Sequence, residues 1–244
     1  MTFPALAQRK LGLGRLPIVT GIVFVVTATM SFLQRAIPGM FDALQRDPTG
    51  LHGEWWRTFT ALFVQDGGIV GTIVNLAFLL VLGALTEQIL NRRQWLVCYF
   101  GTGLAGELAG YAWQPHGAGN SVAVCGLAAA MVVALWLDEA RVPKLAPIAV
   151  LYWCGGLLST LFWPALIVYL IGGVLVQITM QHGHLVGRPV AAAVAVAAVI
   201  LLAATDIHGA ALAAGMIIAA VIVLAGRTRL PLPAPNATAR EKGT

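Results

Sequence analysis

The chain has 244 residues, 59% of them apolar and 10% charged, against roughly 45–50% and 25% in soluble domains. Fifteen basic and ten acidic residues are too few to coat a body of this size in water. A mean hydropathy of +0.83 also excludes an apolar-poor disordered chain, which leaves lipid as the expected solvent.

A spanning helix needs roughly 17–25 mostly apolar residues. The first such run, 17–36, follows Arg9, Lys10 and Arg15 as a signal sequence would. Its end, Gln34-Arg35-Ala36-Ile37-Pro38, makes a poor small-residue cleavage site, so the run reads as a retained helix. Further spans are expected at 69–89, 94–113 and 121–137. The stretch 145–180 is 36 residues long with Trp163-Pro164 at its middle. Proline breaks a helix there, so two short helices are expected. Spans at 189–205 and 207–226 complete a count of about eight, and six with a re-entrant 145–180 element would keep the same parity. The tail at 227–244, rich in Pro, Ala and charge, is expected to be disordered.

The net charge of +5 resembles a nucleic-acid signal, but its placement argues otherwise. Lys and Arg lie almost entirely in short loops between apolar runs, the pattern of membrane topology rather than of a phosphate-binding face. With the N-terminus inside, twelve positive residues fall inside and three, Arg35, Arg46 and Arg57, fall outside. Both termini are therefore expected in the cytoplasm, with the plasma membrane as the location. Cys98, Cys125 and Cys154 fall in apolar runs without metal-ligand spacing and read as core residues.

Three features stand out on this background: the outer loop ending Glu54-Trp55-Trp56-Arg57, the run Gly119-Asn120-Ser121-Val122, and the run Asp206-Ile207-His208-Gly209. Ser121 and His208 are 87 residues apart, yet both fall just inside the outer face. A serine is a weak nucleophile unless a base takes its proton, and a nearby histidine serves that role. Small residues line both helices below the pair: Ser121, Cys125 and Ala129 on one, and His208, Ala211, Gly215 and Ala219 on the other. Such seams allow close helix approach in lipid. The plainer alternative is a serine bonded to backbone and a histidine at an interface. Glu87 is expected as a charge partner of Arg92 and Arg93. Glu107, between Gly106 and Gly110, is expected to be a protonated or hydrogen-bonded packing residue.

In this order the features resemble the rhomboid family of intramembrane serine proteases. Trp56-Arg57 matches its first-loop signature, Asn75 a polar helix position, Gly119-Asn120-Ser121 its Gly-x-Ser motif, and His208 with Gly209, Ala210 and Ala211 its last core helix. The resemblance implies an all-α polytopic membrane helix bundle with a six-helix core. The 145–180 stretch then reads as a two-helix insertion in a domain spanning 1–226. It implies a Ser121 nucleophile, a His208 base, Asn75 as an oxyanion donor, and no metal, cofactor or third acidic member. The implied partners are the lipid bilayer and transmembrane protein substrates or clients, with no nucleic acid. Two positions depart from the family pattern: Val122 replaces a glycine, and Gly71 stands where the family commonly has a histidine. A site short of one oxyanion donor is the consequence, which keeps a helix-binding pseudoprotease as the alternative. A small permease is the third class, for which the spans show no internal repeat.

Overall fold

A computed structural model describes residues 14–137, 142–182 and 186–227. The expected tail beyond Arg227 lies outside the described residues, as do Arg9, Lys10, Arg141 and His184. In chain order, α1 (Ile18–Ala36) leads into a long loop with α2 (Met40–Leu44), a 3-10 turn (Pro48–Leu51) and α3 (Arg57–Thr60). After α4 (Gly68–Thr86), α5 (Arg92–Leu96) runs through a π-helical turn (Val97–Gly101) into α6 (Thr102–Trp113). There follow α7 (Ser121–Leu137), α8 (Ala146–Ser159), α9 (Pro164–Gln181), α10 (Gly187–Ala203) and α11 (Ile207–Arg227). Among the described residues α1, α4, α9 and the Ile207–Ala225 part of α11 are long and apolar enough to cross a membrane, while α7, α8 and α10 are shorter apolar helices. The chain is an all-α membrane bundle.

The 145–180 stretch breaks as its proline dictates. Pro164 takes the first position of α9, where its missing N–H costs nothing. The two helices lock by exchanging tyrosines for glycines. A Cβ on Gly155 would sit 2.3 Å from Tyr169, and one on Gly173 would sit 2.2 Å from Tyr152. The hairpin docks through α8 on α4, α7 and α10, with the Phe78 and Trp153 rings 5.0 Å apart. Most of α9 stays exposed on the periphery.

Apolar on every face, α7 is buried along nearly its whole length, as such a helix must be. It touches α4, α6, α8, α10 and α11. The small-residue seams meet as expected: a Cβ on Gly215 would lie 2.8 Å from the Ala129 Cβ and 3.1 Å from the Gly126 Cα. On its other side Gly126 faces the π-helical turn, where a Cβ would fall 2.1 Å from the Cys98 carbonyl oxygen. A side chain at 126 or 215 would push the helices apart and with them everything mounted at their N-terminal ends.

Glu87, expected beside Arg92 and Arg93, spends its carboxylate on α1. It accepts the backbone N–H groups of Val19 and Thr20, each at 3.0 Å, and the Thr20 hydroxyl at 2.9 Å. The first-turn donors that an α-helix cannot satisfy itself are thus capped from 68 residues away.

Candidate active site

The segment before α7 is stitched to the α1–α4 loop at three points. Arg46 and Gly117 exchange backbone bonds of 2.9 and 3.1 Å, Gly119 N–H donates to Ala61 at 2.9 Å, and Ala118 N–H donates to the Asp66 carboxylate at 3.0 Å. Arg46 then reaches inward: its guanidinium pairs with Glu107 and donates to the Gln114 carbonyl at 2.7 and 3.1 Å. Both members of the ion pair are 1% exposed. Gly110 makes the room, since a Cβ there would meet the guanidinium at 2.4 Å. Glu107, expected to be a protonated or hydrogen-bonded packing residue, is buried and hydrogen-bonded, with Arg46 as its ion-pair partner, and Arg46 is an internal strut rather than a free surface charge.

The other two arginines expected on the outer side, Arg57 and Arg35, are equally occupied. Arg57 pairs with Glu54 and with Asp47 at 3.3 Å, and donates to the Gln45 carbonyl at 3.2 Å. Arg35 donates to the carbonyls of Ser31 and Gly68 and to the Thr72 hydroxyl. All three arginines thus brace the loop that frames Ser121.

Ser121 opens α7 and His208 lies in the first turn of α11. The expected pair forms: Ser121 Oγ and His208 Nε2 are 2.9 Å apart. Sequence reading did not anticipate what stands behind the ring. Asp206 Oδ1 lies 2.6 Å from His208 Nδ1 and accepts the His208 backbone N–H at 2.8 Å. A 7%-exposed Asp206 pays for desolvation, but the His208 hydrogen bonds and charge outweigh it and hold the carboxyl below its ordinary value.

The turn that presents Asp206 is strained. Thr205 has φ +55°, and its N–H and that of Asp206 close on the carbonyls of Leu202 and Leu201 at 3.0 and 2.9 Å. This is a helix-ending motif whose left-handed position usually belongs to glycine. Thr205 is exposed, so no packing offsets the strain. Replacing it with glycine is expected to raise stability by about 0.5–1 kcal/mol, strain relief exceeding the added chain entropy. A lowered unfolding midpoint in detergent would contradict this account.

Facing Ser121 is a row of amides. Asn75 Nδ2 donates to Gln65 Oε1 at 2.9 Å, and Gln65 Nε2 donates to Asn120 Oδ1 at 3.0 Å. The Gln65 backbone is held in turn by reciprocal 2.7 Å bonds with the Gln34 side chain. Gly119 leaves the space among them open. A Cβ at 119 would lie 3.4 Å from Ser121 Oγ, 3.6 Å from Gln65 Oε1 and 3.8 Å from Asn75 Nδ2. Its φ of +153° is likewise one that side chains disfavour.

A model of the Rhomboid domain matches residues 52–204, more than half of the chain. The chain belongs to the rhomboid family. No curated protein matches it. Within the rhomboid match lie Gln65, Asn75 and Ser121, whereas Asp206 and His208 follow its end. The two departures from the family pattern now have surroundings. Val122 is 1% exposed and packs into the gap over Gly106, where a Cβ would come within 3.1 Å of both Val122 and Ala211. Its bulk therefore points into a helix contact. Gly71 has open space around it, and the polar group beside Asn75 is instead Gln65. The sequence shows Gln65-Asp66 near the position of an earlier family histidine, but Gln65 lies ten residues before Asn75 and ahead of α4, so helical spacing does not set the two amides side by side.

Proposed function

We propose that this rhomboid is an intramembrane serine endopeptidase that cuts transmembrane protein substrates near the outer face of the plasma membrane. The observation that carries this reading is the 2.9 Å contact between Ser121 Oγ and His208 Nε2. In the reaction, Oγ attacks the scissile carbonyl while Nε2 takes its proton. The developing oxyanion meets backbone N–H groups at the start of α7, where the helix dipole favours negative charge. Asn75 adds a side-chain donor, since an amide carries two N–H groups and only one is spent on Gln65. Collapse of the tetrahedral intermediate breaks the C–N bond, and the proton on His208 leaves with the amine. Water then attacks the acyl group on Ser121, with His208 acting as base a second time. The charge asymmetry of the loops supports cytoplasmic termini, which puts the pair on the outer side.

A fluorophosphonate probe, which reacts only with an activated serine, tests this reading. The purified wild type in detergent is expected to label, with Ser121→Ala unlabelled and His208→Ala slowed on the order of a thousandfold or more. Wild-type labelling no faster than Ser121→Ala sinks the protease reading and leaves a protein that binds membrane helices without cutting them.

A further inference from the structure

An ionised carboxylate only accepts hydrogen bonds. Across the 2.6 Å from Asp206 Oδ1, His208 Nδ1 must therefore be the donor. A neutral imidazole carries one N–H, so Nε2 is left with a lone pair, and it is Nε2 that lies 2.9 Å from the Ser121 hydroxyl. The same Oδ1 also accepts the His208 backbone N–H at 2.8 Å, which fixes the carboxylate relative to the helix start. Side-chain exposures of 10% for Asp206 and 19% for His208 keep water from competing for the bond.

We propose that Asp206 is a positioning residue that completes a Ser121–His208–Asp206 relay, selecting the histidine tautomer whose Nε2 faces the nucleophile. The inference rests on the protease reading above. As the Ser121 proton passes to Nε2, the imidazolium gains a carboxylate neighbour, and Asp206 itself takes no proton. The resemblance to the family implied only two members. The third comes from the Thr205–Asp206 turn, where the left-handed residue aims the next side chain back over the helix it caps.

Asp206 also acts as a helix cap, so the test must separate the two roles. Asparagine and serine cap about as well as aspartate, but the first is neutral and the second is too short to reach Nδ1. Asp206→Asn and Asp206→Ser are expected to keep the unfolding midpoint and to label with fluorophosphonate at least about tenfold more slowly than wild type. Nitrogen NMR of 15N-histidine protein, assigned with His208→Ala, is expected to show Nδ1–H in the wild type at neutral pH and a changed tautomer distribution in Asp206→Asn. Full-rate labelling by both variants overturns the proposal, as does a wild-type His208 protonated at Nε2. If either variant fails to fold, the wild-type tautomer still decides. If the wild type labels no better than Ser121→Ala, the protease reading falls, an outcome the Asp206 variants do not affect.

Discussion

Replacing Arg46 with methionine is expected to destabilise the protein by about 3–5 kcal/mol, because it strands the Glu107 carboxylate without its partner. Both side chains are 1% exposed, so water cannot take the place of the guanidinium. The substitution also releases the Gln114 carbonyl, which accepts two of the Arg46 N–H groups. Removing Glu107 as well should recover part of the loss, since a buried pair exchanged for apolar groups is often neutral. Denaturant unfolding in detergent of Arg46→Met, Glu107→Leu and the double variant measures this. A single-variant loss under about 1 kcal/mol, within the range of an exposed pair, would show that the strut carries little. Because Arg46 anchors the segment leading to Ser121, fluorophosphonate labelling should slow in the same variant.

Gly209→Ala is expected to be comparably severe. A Cβ at 209 would sit 2.2 Å from the Leu202 nitrogen, 2.6 Å from the Leu201 carbonyl carbon and 2.7 Å from the Leu202 Cα. All three are backbone atoms of α10, so no rotamer change relieves the clash and one helix must move. Overpacking of this kind costs about 1–3 kcal/mol or more, and the displacement falls directly on His208. Labelling should drop by about a hundredfold even in folded protein, as misplacements near 1 Å do. An alanine variant with wild-type labelling and an unchanged unfolding midpoint would mean that α10 and α11 do not meet as described.

The spans were legible in the sequence because lipid demands long apolar runs, and the Trp163-Pro164 break because proline has few places to go in a helix. The contact between Ser121 and His208 was legible because the topology expected from loop charge puts both at one depth, each beside a seam of small residues. Asp206 was in plain view yet unassigned. Residues two apart do not face one another on a helix, and only its place outside α11, after a left-handed Thr205, turns its carboxylate onto the ring. Arg46 and Glu107 lie 61 residues apart, and nothing in the periodicity of either neighbourhood points to the other. Glu87 was misread for a similar reason: its adjacent arginines suggested a local partner, while its carboxylate is used by a helix start distant in the chain.

The tight passage of Gly215 past Gly126 and Ala129 has a bearing on how the molecule is made. Helices enter the membrane in the order of synthesis, and α11 is the last of the described helices to emerge. Until it docks on α7, Ser121 lacks the His208 imidazole, and the place that Gly215 takes beside Gly126 stands unfilled. A chain halted or clipped before Ile207 therefore lacks the Ser121–His208 contact on which the proposed cleavage rests, and that contact forms only when the closing helix seats in its slot.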